Sequence, residues 1–353
     1  MLIRLDCSVS SLQSLDVDLV REVVCELVRS YRKGHHLVVI SRAAASWLLT
    51  VEGLSKIEYA TIEKIRSEYT QNGNIHKHAR QYINIICART ESMGRAHASI
   101  DVSVCSFMKS NIADRPRLLV ENMLRDGWVY NFLLKNISDK LKCRYLSVDV
   151  VHGGGDDIVS VFEQIIKEKR IVCTIVDSDK NSPAASKNTK LSKLVTVVRR
   201  HGWLLSFAAS PPCREVENLI PFSIISQIDS SKEIDTNSHL LKINEREKSI
   251  GIALSDRYLR YFDFKEGASA RNLVSRSEAD KAWIESKLHF IGVSGDKWSI
   301  PGYGSKVVDQ IKGDDARIAE FRAAIRTNEW LETFEGFFEN IIWLFFSTRP
   351  WLT

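Results

Sequence analysis

Three carboxylates stand where apolar runs end: Glu121 after Arg117–Val120 (RLLV), and Asp177 and Asp179 after Arg170–Val176 (RIVCTIV). If both runs are strands of one parallel sheet, their carboxyl ends share an edge, and such edges are where these sheets bind ligands. Residues two apart in an extended segment point the same way, so Asp177 and Asp179 are expected to face one side and Ser178 the other. Carboxylates placed like this repel one another unless a hard cation joins them. Mg²⁺ is held by a few carboxylates together with water and phosphate oxygens. The chemistry that follows is polarisation of a phosphodiester, activation of water and steadying of the leaving oxygen. Glu121, Asp177 and Asp179 are therefore expected as metal-ligating catalytic groups, with Mg²⁺ or Mn²⁺ as the ion. Asp-x-Asp after a strand is also a common turn or cap. The strand-ending Glu upstream and the glycine turn between them set this one apart.

Polar residues around the acids extend the pattern. Lys180, Lys187, Lys190 and Lys193 surround the acidic pair. Cations there can hold the phosphates of a polyanion, or they are solvated loop lysines. Gly153-Gly154-Gly155 lets backbone approach a phosphate at the following helix N-terminus, or forms a tight turn that needs positive φ. His152, just before the glycines, either contacts substrate or lies at the surface. His76 and His78 read as surface residues, and Asp6, at the end of the first strand, has no matching acidic set. Tyr258, Tyr261, Phe262 and Phe264 alternate with Arg257, Arg260 and Lys265. That mixture suits base stacking or a half-buried strand with a charged edge.

The elements that must position these groups are an α/β series. Residues 1–115 read as a small α/β unit: a start at Leu2–Leu5, a helix over Val17–Tyr31, a strand over His36–Ser41, helical stretches over Ile57–Tyr69 and Ile75–Ala88, and a strand over Ser99–Phe107. The NIADRP segment, Asn111–Pro116, marks a boundary because proline disfavours helix in the residue before it. Residues 116–226 alternate strand and helix: strand Arg117–Val120, helix Arg125–Lys140, strand Cys143–Val151, helix Ile158–Lys169 capped by Asp156 or Asp157, strand Arg170–Val176, helix Lys190–His201 and strand Trp203–Ala208. Alternation of this length implies βαβ crossovers and a parallel sheet. Residues 227–353 begin with a loop over Ser230–Ser238 and become mainly helical, with helices over Ala316–Thr327 and Glu329–Phe346.

Bulk properties restrict the class without naming it. At 353 residues the chain has room for two or three domains. Its 49 basic and 44 acidic residues leave a net charge of +5, a slight lean toward an anionic partner. No apolar run reaches membrane-spanning length; Phe337–Phe346 is short and contains Glu339. The start lacks a secretory pattern. The seven cysteines are odd in number with no close pair, as free thiols of a cytoplasmic protein would be. No G-x-x-x-x-G-K-[ST] occurs, so no ATP-binding P-loop is expected. Trp330–Trp351 is apolar over more than one helical stripe, and must be covered by its own core, by a partner or by a second copy in a homo-oligomer.

RLLVENMLRDGWVY, VHGGGDDI and TIVDSDKN resemble the TOPRIM domain of topoisomerases, primases and overcoming-lysogenization-defect (OLD) nucleases. The chain is most similar to stand-alone TOPRIM nucleases of bacterial anti-phage systems. The resemblance covers residues 117–221. It implies a TOPRIM-like, Rossmann-like fold with a metal site at Glu121, Asp177 and Asp179. Arg214–Pro221 (REVENLIP) resembles the family's REIEN segment, which adds Glu217 to the metal and catalytic set. Asn122 stands where the family has glycine, and Asp126 is displaced by one residue from the family's aspartate, which leaves its role open. With no P-loop here, the resemblance implies a separate ATPase partner and a restraint on the nuclease. The expected function is metal-dependent hydrolysis of DNA or RNA. The alternatives are a nucleotidyl or strand transferase, though no nucleophile domain or zinc module is recognisable, and an idle TOPRIM fold that only binds.

Overall fold

The computed structural model describes every residue except 139, 141, 142, 144, 187, 229–233, 296, 352 and 353. Two sheets carry the fold. The first is built from β1 (Leu2–Leu5), β2 (Leu37–Ile40), β3 (Tyr82–Ile86), β4 (Met93–Ala96) and β5 (Ser99–Ser103), in the order β2-β1-β3-β5-β4. All pairs are parallel except β4 with β5. The crossover from β1 to β2 is the helix Val17–Arg32, started by Asp16, whose carboxylate accepts from the N–H groups of Asp18 and Leu19. Val20, Val23, Val24, Leu27, Val28 and Tyr31 recur at helical spacing and are buried together.

The second sheet is all parallel: β6 (Arg117–Val120), β7 (Asp149–His152), β8 (Val172–Ile175) and β9 (Ser206–Ala209), in the order β7-β6-β8-β9. Helices Asp126–Ile137, Ile158–Lys167 and Thr189–His201 connect successive strands. Strands covered on both faces must be apolar throughout, and Leu118, Leu119 and Val120 are fully buried. Leu119 faces Ile158, Phe162, Ile165 and Ile166, while Leu118 and Val120 join a larger core that runs from Met1 to Phe346. The chain is thus an α/β protein, as its strand–helix alternation implies.

The rest of the chain holds shorter elements. Two strands, β10 (Gly267–Ser269) and β11 (Ser299–Pro301), form an antiparallel ribbon among helices. The helix Asn328–Phe345 buries Trp330, Phe334, Phe338, Ile341, Ile342, Trp343, Leu344 and Phe345 in the chain's own core. Beyond it, Ser347 N–H donates to Tyr145 C=O, and Trp351 N–H to Arg32 C=O, which ties the C-terminal segment to both earlier regions.

Several expectations are corrected. Ile75–Ala88 is not helical; a single turn at Ile75–Lys77 precedes β3, whose alternating burial shows a strand period. The strand expected over Cys143–Val151 starts at Asp149, and neither Asp156 nor Asp157 caps the following helix with its side chain. The loop expected over Ser230–Ser238 lies outside the described residues as far as 233, and a helix runs from Ile234 to Ser249. Tyr258, Phe262 and Phe264 sit on turns in the core, so they cannot stack bases. The cysteines are not all free thiols. Leu5 pairs with Ile85 across β1 and β3, which brings Cys7 opposite Cys87, and the two form a disulfide with Cα atoms 5.8 Å apart. They are 80 residues apart in sequence, so only the strand pairing reveals them. Among the described residues, no helix is long and apolar enough to cross a membrane.

Candidate functional site

The register Val120↔Ile175 between β6 and β8 places Glu121 and Asp177 just beyond the carboxyl ends of two hydrogen-bonded strands. The acids nevertheless separate into two sets. Asp177 and Glu217 share one field of charge with Asp126, Glu215 and Lys265, whose ammonium touches the two glutamates. Glu121 and Asp179 turn toward other partners.

The first set is held by backbone. Arg214 C=O accepts from the N–H groups of both Ser178 (2.9 Å) and Asp179 (3.0 Å), pinning the REVEN segment on the loop after β8. Ser178 donates its hydroxyl to Cys213 C=O. Val216 N–H donates to Asp177 Oδ1 over 3.0 Å. Glu217 follows on a short turn, Val216–Leu219, and is only 2% exposed. Lys265 Nζ lies 3.1 Å from Glu215 Oε2 and 3.2 Å from Glu217 Oε2. Both oxygens are buried with Lys265 as their partner, and the nearby Tyr130 hydroxyl is buried and makes no hydrogen bond.

Electrostatics follow from this crowding. Burial pushes the Glu217 carboxyl up to about 7, opposed by Lys265 and reinforced by Glu215. Burial, then the charge of Asp126, holds Asp177 well above the usual carboxylate range, with Lys265 pulling the other way. Asp126 is raised by burial despite accepting from Asn122 N–H at 2.9 Å. Burial alone would lower Lys265, but Glu217, Glu215 and Asp177 more than offset it and raise its pKa. Burial raises the Tyr130 hydroxyl, and Asp177 adds to the effect.

In the second set, Glu121 pairs with Lys190, Nζ to Oε2 2.7 Å, and Lys190 also lies 3.5 Å from the exposed Asp156. Asp179 has φ of +51°, a left-handed conformation that aspartate tolerates better than most residues. The chain therefore leaves the extended form there, and Asp177 and Asp179 do not share a side as their alternation predicts. Asn188 explains where Asp179 goes. Its amide donates to the Asp179 carboxylate and to Asp177 C=O (2.9 Å), while its Oδ1 caps the next helix at Lys190 N–H (2.6 Å).

The remaining candidates fall nearby. His152 ends β7 beside Val120, and its Nδ1 accepts from Met123 N–H at 3.4 Å. Gly153 is there for packing: a Cβ would meet Ile158 Cγ1 at 2.6 Å and Val120 O at 2.9 Å. Gly154 and Gly155 take φ of +71° and +65° in the turn. Lys180 N–H bonds Ser178 Oγ at 3.3 Å, Lys193 is exposed, and Lys187 lies outside the described residues.

Lys265, Glu215, Tyr130 and Asn188 were not singled out for the site by sequence reasoning. Lys265 is placed by the β10–β11 ribbon, where a Cβ on Gly302 would strike Lys265 C=O at 2.4 Å and Gly304 N–H donates to that same carbonyl. No local signal marks it. Glu215 is two residues from Glu217 in the same REVEN run, and that spacing is the signal which could have found it.

Among the described residues, no three His, Cys, Asp or Glu side chains are gathered to hold a metal ion as they stand. The donors suit a hard cation in kind: they are carboxylate oxygens, and two of them are buried with only the Lys265 ammonium as partner. Holding one would require Lys265 to yield, and Glu121 to leave Lys190. No family model matches the sequence, and no curated protein or solved structure matches it.

Proposed function

We propose that this chain is a TOPRIM-type, metal-dependent nuclease that hydrolyses phosphodiester bonds of DNA or RNA. The observation that carries the reading is that Asp177 follows a strand at the carboxyl edge of a parallel sheet and accepts from Val216 N–H, which sets Glu217 and its partner Lys265 beside that edge. Buried like charges persist where function requires them, since shifted carboxyls concentrate at working sites.

Asp177 and Glu217 would hold Mg²⁺ or Mn²⁺, joined by Glu121 and Asp179 after rotation from Lys190 and Asn188. The metal, when bound, supplies polarisation of the phosphodiester and an activated water. Lys190, released from Glu121, and Lys180 would orient the substrate's phosphates. Asn188 holds the loop that bears both aspartates. The resemblance adds a cytoplasmic anti-phage role and a separate ATPase partner. Such a partner would not use the aromatic face of Asn328–Phe345, which the chain's own core covers.

One observation favours a second reading, an idle fold that only binds. Lys265 and Lys190 already neutralise carboxylates that a metal would otherwise join. Incubation with plasmid, single-stranded DNA and total cellular RNA, each with Mg²⁺, Mn²⁺ or chelator, separates the two. The nuclease reading predicts cleavage that needs metal and is lost in Glu121→Ala and in the Asp177→Ala, Asp179→Ala double variant, both still folded. Cleavage at equal rates in all three proteins, or none under any condition, would count against it.

A further inference from the structure

A cavity separate from the carboxylates lies between the helices Asn328–Phe345 and Ile234–Ser249 and the turns over Leu254–Arg260. It encloses about 380 Å³, within the range of small-molecule sites. Its walls are apolar and aromatic, including Phe222, Leu254, Leu259, Trp330 and Phe334. Its charge is one-sided: among the described lining residues, Lys248, Arg257 and Arg260 face one carboxylate, Glu329. Glu329 is shared between Lys248 at 3.1 Å and Arg257 at 2.5 Å. The Nε groups of Arg257 and Arg260 are buried and make no hydrogen bond, and a buried donor left unpaired is costly. The Arg260 guanidinium stands 5.4 Å from the Phe334 ring centroid, so cation and aromatic wall are side by side.

We infer that this cavity binds a small aromatic anion, its phosphate or carboxylate at Arg257 and Arg260 and its ring against Phe334 and Trp330. Arg257 already donates to Glu329 and Arg260 to Pro212 C=O, and an anion gives both guanidinium groups a further, charged acceptor, which makes the stronger kind of hydrogen bond. The aromatic body fills walls that a simple inorganic anion would leave uncovered. The cavity also touches the REVEN segment. Asn218 lines it while bonding Leu259 C=O (2.8 Å), Phe262 C=O (2.9 Å) and Glu215 N–H (2.9 Å). The inference is independent of the nuclease proposal.

Calorimetric titration of the full chain with AMP, GMP, UMP, indole-3-acetate, adenosine and inorganic phosphate tests it. The nucleotides separate a phosphate source from the carboxylate of indole-3-acetate, and adenosine and phosphate test each half of the ligand alone. At least one aromatic anion should bind with a dissociation constant below about 1 mM, and adenosine and phosphate about tenfold more weakly or worse. Arg257→Gln, and Thr333→Trp to fill the cavity, should each weaken that binding by about tenfold or more. Hydrogen exchange on wild-type protein should slow over 254–260 and 327–334 when the ligand is present, which decides the matter if the variants do not fold. Failure of every aromatic anion to bind, equal affinity in both variants, or protection confined elsewhere would overturn the inference.

Discussion

Lys265 places its ammonium 3.2 Å from the buried carboxylate of Glu217, although 48 residues separate them. The contact joins the polar C-terminal part of the chain to the carboxyl edge of the second sheet. Glu217→Gln would keep the shape but remove a charge that burial disfavours. Chemical unfolding at pH 8 should show stability equal to wild type or higher by about 1 kcal/mol, while metal-dependent cleavage is lost. A variant that is both destabilised and active would reverse the roles assigned to Glu217.

Lys265→Met should do the opposite. It leaves Glu217 buried without a counter-charge, while Glu215 keeps Arg214 at 3.3 Å, at a cost of roughly 3–5 kcal/mol. Added Mn²⁺ should restore more stability to this variant than it gives wild type, because the ion then meets uncompensated carboxylates. Thermal unfolding with and without Mn²⁺ reads both effects; equal shifts in the two proteins would deny competition between lysine and metal.

Asn188→Ala should separate placement from chemistry. Loss of the helix cap costs about 1 kcal/mol. The loop bearing Asp177 and Asp179 also loses two hydrogen bonds. Single-turnover cleavage should then fall on the order of a hundredfold, as small misplacements do. A rate within about twofold of wild type would show that Asn188 does not position the loop.

Much of this arrangement was legible in the sequence. Apolar runs ending on acids gave β6 and β8 and their shared edge, because a strand buried on both faces has little choice of residue. The Asp-x-Asp alternation misled, since Arg214 C=O and Asn188 draw the chain out of the extended form at Asp179. β3 was read as helix because Tyr82, Asn84 and flanking polar residues blur its period, and only pairing with β1 and β5 settles it. Lys265 belongs to no motif; its place depends on packing between distant segments.

His36 offers a test of the fold away from the site. It is fully buried, its Nε2 lies 2.8 Å from Asp114 C=O, and burial holds its pKa well below 6.5. The folded state keeps the ring neutral while the unfolded state takes up a proton below pH 6.5. Stability from this group is thus complete above pH 6.5 and falls as the pH drops below it. Urea unfolding of wild type and His36→Gln between pH 7.5 and about 5 should show the variant losing less stability over that range. Parallel losses would mean that His36 is protonated in the folded protein.

Whether these carboxylates take a divalent cation is read by Mn²⁺ titration followed by electron paramagnetic resonance. Free Mn²⁺ gives a sharp six-line signal that weakens when the ion is bound. Wild-type protein should remove the signal saturably, and an Asp177→Asn, Glu217→Gln double variant, shown folded by circular dichroism, should leave it unchanged. Equal loss of signal with both proteins, or none with either, would mean that Asp177 and Glu217 hold no divalent cation.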